Sequence, residues 1–203
     1  MMHDVHTYYT LGQESQAEFT DRGSRFLAYA FPIESVEAFR LRLKQLKEAH
    51  PKAVHHCFAW RLGTDGNQYR VSDDGEPSGT AGRPILGQID SRGITNAAVV
   101  VVRYFGGTLL GVPGLIHAYK SAAALALQTT PLVQKQIEVQ YQLEFDYQRM
   151  HEVQLVLRQF GCSVHQQELH LFCRLRVGIP RGRLTETLHR LQSIYDLQCT
   201  PCA

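Results

Sequence analysis

Apolar and polar residues alternate along the last third of the chain with the periods of strands and helices. Alternation of apolar and polar residues predicts four strands: 136–146, 162–164, 169–177 and 195–200. Apolar residues recur every three or four positions between Asp146, a suitable N-terminal cap, and Gly161, a suitable helix end, and again across 184–191. These two segments are predicted helices. The resulting order βαββαβ predicts a ferredoxin-like sandwich.

The first two-thirds of the chain mixes the two periods. Four strands are predicted there, the last of them rich in β-branched residues: 16–20, 25–33, 54–63 and 95–104. One helix follows Ser35 as its cap and stops at His50-Pro51, and an alanine-rich helix covers about 113–128. Both parts of the chain are therefore of the α+β class.

A short polar segment, Thr129-Thr130-Pro131, separates the two patterns and is the predicted linker. We predict two domains, 1–130 and 131–203. The content of 44% hydrophobic and 20% charged residues is that of globular proteins and excludes disorder. No apolar run approaches the roughly 20 residues that span a bilayer, and the N-terminus does not resemble a secretory signal. A cytoplasmic protein without a membrane partner is expected.

Charge is balanced along the chain. Residues 1–130 carry 13 Lys or Arg against 12 Asp or Glu, and residues 131–203 carry 8 against 7. Neither part is basic enough to hold nucleic acid by counterion release alone. Any contact with nucleic acid is therefore expected to be local.

The five cysteines predict neither a disulfide framework nor a cofactor site. An odd count in a chain of this kind favours reduced, structural thiols. Cys199 and Cys202 have CxxC spacing, but they lie at the chain end without a following helix or a second pair of ligands. We expect no metal, no redox role and no cofactor.

Three segments of the first part carry a specific resemblance: 54–57, 72–84 and 103–111. They resemble the YigZ/IMPACT family, and the spacing from Gly82 through Arg103 to Gly111 fits the family signature without a gap. The resemblance runs from about Ser24 to Ala126, and the βαββαβ tail is similar to the C-terminal domain of bacterial YigZ-like members. It implies an N-terminal domain similar to a ribosomal-protein and elongation-factor domain. It also implies a tail like the last domain of elongation factor G.

The resemblance also implies a field of function. Eukaryotic IMPACT relatives restrain the activation of a translation-stress kinase by binding that kinase's activator. A translation-linked role is therefore expected, with RNA, the ribosome or a translation-associated protein as the partner. This expectation is an analogy between folds and relatives, and it identifies no chemistry by itself.

A glycine-rich turn between the strand 95–104 and the following helix is the first candidate site. Such a turn presents free backbone N–H groups at a helix N-terminus, where anions bind. The residues of the predicted anion or nucleic-acid site are Arg103, Gly106, Gly107, Gly111, Gly114, Lys120, His56 and Arg83. The alternative is that the glycines serve tight turns and close helix packing. Pro113 and His117 depart from the family pattern, and both weaken an anion site.

An acidic loop is the second candidate site. Asp73, Asp74 and Glu76 are oxygen ligands suited to Mg²⁺, so a small metal-dependent hydrolase or phosphotransferase is an alternative function. The same residues also serve turns or bind Arg83 or Arg103. His55 and His56 point to opposite faces of a strand and cannot share one ion. Cys57 with His55 would form a nucleophile–base pair only if the fold brought Asp73 to them.

The last candidate surface is the outward face of the strand 169–177, with His170, Phe172, Arg174 and Arg176. Aromatic and basic residues on an open sheet are typical of RNA-binding platforms. The neighbouring strand carries glutamates and glutamines on its outward face and no aromatic residue, so cross-strand Arg–Glu pairs are expected to consume the charge. We expect a surface for protein contact or for contact between the domains there.

These observations together favour a non-enzymatic accessory or regulatory factor of translation that uses the anion site in the N-terminal domain. No catalytic residue is assigned. The alternatives are the metal-dependent enzyme and a pure protein-interaction module. The oligomeric state does not follow from the sequence.

Overall fold

The computed structural model describes residues 6–202 of the chain. Contacts divide these residues into two compact units, Tyr8–Lys135 and the described residues on either side of it, 6–7 and 136–202. We call them the N-terminal and the C-terminal unit. Within residues 6–202, no helix has the length and hydropathy that spanning a bilayer requires.

The N-terminal unit is a five-stranded antiparallel sheet with helices on both faces. Its elements in chain order are β1 (Thr7–Leu11), β2 (Ser15–Asp21), β3 (Ser24–Pro32), α1 (Val36–Ala49), β4 (His55–Leu62), β5 (Gln68–Ser72), α2 (Gly82–Ser91), β6 (Ala97–Tyr104), α3 (Gly111–Gln128) and β7 (Leu132–Gln136). The sheet order is β2-β3-β6-β4-β5, and β1 pairs with β7 in a separate two-stranded ribbon.

Two hydrophobic cores lie on opposite faces of this sheet. Helices α2 and α3 pack on one face, around Phe26, Ile85 and Tyr119. Helix α1 packs on the other, where Phe39 contacts the rings of Phe58 and Trp60. The central strand β6 is therefore buried on both faces, which explains its unbroken apolar run from Ala97 to Val102.

The C-terminal unit is a four-stranded antiparallel sheet with both of its helices on one face. Its elements are β8 (Glu138–Asp146), α4 (Met150–Phe160), β9 (Ser163–Glu168), β10 (Phe172–Pro180), α5 (Leu184–Gln192) and β11 (Gln198–Pro201). The sheet order β11-β8-β10-β9 with both helices on one face is the ferredoxin-like arrangement, as predicted. Single 3₁₀ turns precede α4 and α5.

Local signals placed several element ends correctly. The Ser35 hydroxyl accepts the Ala38 N–H at the start of α1, and Gly161 ends α4 in the left-handed region at φ 67°. The structure corrects the strand bounds after α4, because β10 begins at Phe172 and leaves His170 in the preceding turn. Helix α2, strand β5 and the ribbon of β1 with β7 were not predicted.

Candidate functional site

The glycine-rich turn joins the end of β6 to α3 and is held against a second turn by an unusually close backbone contact. A Cβ placed on Gly106 would lie 1.9 Å from the carbonyl carbon of Gly23, so only glycine fits there. The Gly106 N–H also donates to the Ser24 hydroxyl at 3.2 Å. Gly107 and Gly111 have φ values of 86° and 69°, a region that glycine adopts without strain. Close packing and turn geometry account for these three glycines.

Arg103, at the end of β6, is buried rather than open to the turn. Its side chain is about 6% exposed, and its Nη1 donates to Glu76 Oε1 at 2.5 Å. The guanidinium carbon lies 5.4 Å from the ring centre of Phe26 and 5.6 Å from that of Phe105. Among the described residues its Nε has no hydrogen-bond partner. The positive charge of Arg103 therefore mainly stabilises the buried carboxylate of Glu76.

Glu76 is the centre of a buried polar network. Its Oε1 also accepts the Tyr119 hydroxyl at 2.7 Å, and the Cys57 thiol lies 3.3 Å from the same hydroxyl. Burial is the main cause that raises the pKa of both Tyr119 and Cys57 well above their usual values. Cys57 therefore stays a thiol that also donates to the Asp73 carbonyl at 3.0 Å. It is not an activated nucleophile, and the network ties the acidic loop to β4, β6 and α3.

Asp73 caps helix α2 from a distance. Its carboxylate accepts the backbone N–H groups of Gly79, Ala81 and Gly82 at 2.9, 3.0 and 2.8 Å. Burial alone would raise its pKa, but these three donors outweigh burial and lower the pKa below its ordinary value. Residue 81, at the cap position of α2, is alanine and supplies no side-chain cap itself. Asp73 thus replaces a local cap.

Asp74 binds the edge of β4 on the other side of the loop. Its Oδ2 accepts the His56 backbone N–H at 2.7 Å, and its Oδ1 lies 3.7 Å from Lys47 Nζ. The His55 Nδ1 donates to the Asp74 carbonyl at 2.7 Å, since a carbonyl only accepts. Burial, followed by the positive charge of Lys47, lowers the pKa of His56, so this buried imidazole is neutral at pH 7.

The structure brings only part of the predicted anion site together. Arg103, Gly106 and Gly107 follow one another at the end of β6, and Gly111 and Gly114 begin α3. His56 pairs with Val102 in the sheet and therefore lies on the opposite face from Arg103, which pairs with His55. Lys120 and Arg83 are exposed on α3 and on the first turn of α2. Over residues 6–202, no group of three or more His, Cys, Asp or Glu side chains is placed to hold a metal ion.

A feature that the sequence reasoning missed lies beside this turn. Four large apolar side chains are exposed there, with relative exposures of 48%, 82%, 51% and 39%: Phe105, Leu109, Val112 and Ile116. We call them the apolar row. Val112 and Ile116 lie four residues apart at the start of α3, and Leu109 lies just before the helix. By helical spacing, Val112 and Ile116 lie beside the buried side of α3 that carries Leu115 and Tyr119, and they widen its apolar stripe. That wide apolar stripe at the start of α3 was the available signal.

In the C-terminal unit the expected cross-strand pairing is present. Arg174 pairs with Glu144 in the register of β10 with β8, and its Nε donates to Glu144 at 2.8 Å. The outward residues of β8 include no aromatic residue, as predicted. Cys199 packs against the core, and burial raises its pKa to about 11, whereas Cys202 lines a groove on the outward face.

Comparison with known proteins places this chain among close relatives. The model of the Impact N-terminal domain matches residues 22–127. IMPACT family member YigZ of Escherichia coli (strain K12) is 36% identical over 165 residues, which cover 80% of this chain and 81% of that protein. An IMPACT family member of Thermus thermophilus is 43% identical over 159 residues, covering 78% and 86%. A crystal structure of a hypothetical protein aligns with a TM-score of 0.78 at 31% identity over 98% of both chains.

Proposed function

The chain belongs to the IMPACT family, and from that membership we propose that it is a non-enzymatic accessory factor of translation. Its N-terminal unit binds a translation-associated protein through the apolar row, Phe105, Leu109, Val112 and Ile116. The translational part of the proposal follows from what the resemblance implies for the eukaryotic relatives, which act by binding another protein. The remainder follows from the surface itself.

The exposed apolar row is the observation that carries the proposal. Leu109 is 82% exposed although it lies directly beside the buried Leu110. The four exposed side chains of the row fall within one short segment of the chain, and concentrated exposed apolar side chains, unlike single scattered ones, are typical of protein interaction sites. Their burial by a partner would favour binding, because each Å² of apolar surface removed from water contributes about 25 cal/mol before the costs of association.

The turn beneath the row is held in place before any partner binds. Gly106 is locked against Gly23, and Arg103 lies between Phe105 and the Glu76 carboxylate. A surface that is already ordered loses little conformational entropy on binding. We therefore infer that the buried network holds the turn in the conformation that exposes the apolar row.

Binding of RNA through Arg103 is less well supported. A phosphate at Arg103 would have to compete with Glu76, which is itself buried and accepts a second hydrogen bond from Tyr119. Freeing Glu76 would leave a buried charge without its partner, at a cost of several kcal/mol. The hydrolase alternative is less well supported as well, because all three carboxylates of the loop accept hydrogen bonds from the protein.

Affinity purification of the tagged chain, with and without RNase, tests the proposal. The informative variant is Leu109→Asp combined with Val112→Asp, and the control is Leu41→Asp, which is 61% exposed on α1. We expect a translation-associated protein to be recovered with wild type and control after RNase treatment. The double variant should recover it about tenfold less, the effect of losing an interface hot spot.

Two results would contradict this function. One is release of every translation-associated protein by RNase, which would indicate RNA as the ligand. The other is equal recovery by the double variant and wild type. Fluorescence of Trp60, the chain's single tryptophan, reports whether the N-terminal unit of each variant remains folded.

A further inference from the structure

The face of the C-terminal sheet opposite α4 and α5 is open, and its outward residues form rows across the strands. We call it the open face. One row contains Glu144, Arg174 and Glu168, and the next contains Gln142, Arg176 and Gln166. Strand β11 adds Gln198 to the first row and Thr200 to the second. Two chemically different rows therefore lie side by side.

The two arginines of the open face differ in their partners. Arg174 is held between two carboxylates, with its Nε 2.8 Å from Glu144 and its Nη1 3.6 Å from Glu168. Arg176 is flanked in register by two glutamines, and within residues 6–202 it has no ion pair. Arg176 is thus an exposed positive charge whose neighbours are uncharged hydrogen-bonding groups.

Two cavities divide the open face between opposite charges. A groove of about 420 Å³ contains Arg176 with Gln142, Gln166 and Thr200, and the ion pair of Arg174 with Glu168 forms its border with the second cavity. A second cavity of about 340 Å³ surrounds Phe172, which is 74% exposed, and four carboxylates against a single arginine. Its carboxylates are those of Glu144, Asp146, Glu168 and Asp196. Phe172 and Arg176 are four residues apart on β10, which is about 13 Å along a strand.

A nucleic acid strand does not fit this distribution of charge. Carboxylates lie on both sides of Arg176, with Glu168 and Glu144 in one direction and Glu138 in the other. Glu138 Oε2 is held over Gly178 by Ser163 and His165. A chain of phosphates crossing the open face would meet these carboxylates on either side of Arg176, and Arg174 is already paired with two of them. A single negative group is accommodated where a polyanion is repelled.

The edge strands of the sheet, β9 and β11, are poorly suited to pairing with a strand of a partner. Strand β9 has a bulge opposite Arg176 and Val177, and β11 is four residues long and ends in Pro201. Bulges and prolines at edge strands oppose the addition of another strand. A partner is therefore expected to lie across the face and not along its edge.

From this complementarity we propose that the open face binds an extended segment of a partner protein that carries two opposite charges. An acidic side chain of the segment binds Arg176 in the larger groove. A basic side chain four residues away lies on Phe172 among the four carboxylates. Side chains four residues apart on an extended segment point to the same side and are about 13 Å apart, which matches the two cavities.

Titration of the ¹⁵N-labelled full chain with synthetic peptides tests the proposal. The probe is a capped Ser/Thr peptide with Glu and Arg four positions apart, and the matched control has them three positions apart, on opposite sides. We expect only the probe to shift the Arg176 Nε–H and the side-chain amides of Gln142 and Gln166. Arg176→Gln should weaken the binding about fivefold, the upper end for an exposed ion pair. Arg158→Gln, on the helix-covered side, should leave it unchanged.

Several results would overturn the proposal. These are equal binding of the two peptides, no binding of the probe, and no effect of Arg176→Gln in a variant with unchanged thermal unfolding. Tighter binding of an oligouridylate at the same resonances would show an RNA surface. Shifts that depend on protein concentration without any peptide would show that a second copy of this chain covers the open face.

Discussion

Each unit has an arginine on a strand of its main sheet, and the two differ in burial and in pairing. Arg103 is buried, is paired with Glu76 and lies against two aromatic rings. Arg176 is exposed, lies between two glutamines and has no ion pair in the described part of the chain. The difference follows from how many faces of each sheet are covered.

A sheet covered on both faces has no room for an unpaired charge. Burying a charge is tolerated only with a partner, and Arg103 has the carboxylate of Glu76, which in turn accepts the Tyr119 hydroxyl. The C-terminal sheet is covered on one face, so the charge of Arg176 stays in water at no such cost. Residue type alone therefore does not identify a binding arginine, whereas the layers around it do.

The largest effect is expected from removing the buried arginine. Arg103→Met leaves the Glu76 carboxylate buried without its cation and should lower the free energy of unfolding of the N-terminal unit by about 3–5 kcal/mol. Arg176→Met should change the stability of the C-terminal unit by less than about 0.5 kcal/mol. Urea unfolding followed by Trp60 fluorescence and by far-UV circular dichroism measures both.

Arg103→Lys sharpens the same comparison. Lysine keeps the charge but does not reproduce the planar guanidinium between Phe26 and Phe105, so an intermediate loss is expected. If Arg103→Met were as stable as wild type, the buried network would not support the turn. Burial would then not make Arg103 more important for stability than Arg176.

The next largest loss of stability is expected from Gly106→Ala, and it should exceed the loss from the same substitution at the neighbouring Gly107. Gly106→Ala forces a methyl group against the Gly23 backbone and should cost about 3 kcal/mol or more. Gly107→Ala meets open space and carries only the strain of its positive φ, about 1–2 kcal/mol. Equal losses in thermal unfolding experiments would show that close packing does not distinguish them.

A smaller and pH-dependent effect is expected from the distant helix cap. Asp73→Asn keeps one of the accepting oxygens and should destabilise the N-terminal unit by about 1 kcal/mol at pH 7. The pKa of Asp73 is lowered in the folded state, so its stabilisation is complete above the ordinary value of 3.8 and is lost as the pH falls through the lower folded pKa. Unfolding curves of variant and wild type should therefore converge in acid. A gap that widens below pH 3.8 would refute this.

The smallest loss of stability is expected when the C-terminal unit is expressed without the N-terminal unit. Residues 132–203 expressed alone should give a cooperative thermal transition, because their core contacts lie within the C-terminal unit. The hydrogen bond of the Ile137 N–H to the His6 carbonyl would be lost, which costs about 1 kcal/mol. A molten or insoluble fragment would contradict a boundary near 131.

The sequence predicted the elements whose signals are local and missed those whose causes are distant. Alternation in β8 and the caps at Ser35 and Gly161 are contained within a few residues. Helix α2 was missed because it contains Gly82, Pro84 and Gly87 and takes its cap from Asp73. Strand β5 was missed because Gln68, Tyr69 and Arg70 are all exposed, which removes the alternation of a half-buried strand.

The candidate site was predicted in position more than in chemistry. The resemblance and the glycines indicated the turn after β6. The alternative that an acidic-loop residue binds Arg103 is confirmed by Glu76, but spacing alone did not select this pair over a free Arg103, because the two residues are 27 positions apart. His56 was included in the predicted anion site, but strand alternation places it on the face opposite Arg103. The apolar row was missed because the interpretation of this segment followed its glycines and its charges and not the wide apolar stripe at the start of α3.

The cap that Asp73 provides has a consequence for the order in which this region forms. Short helices with glycine and proline have little tendency to form alone, since nucleation is costly. Helix α2 gains its N-terminal acceptor only when the 73–82 loop has closed, so the loop and the helix form one cooperative folding element. The amides of Gly79, Ala81 and Gly82 should then exchange with solvent together, in a single opening event, despite lying at three different places in the backbone.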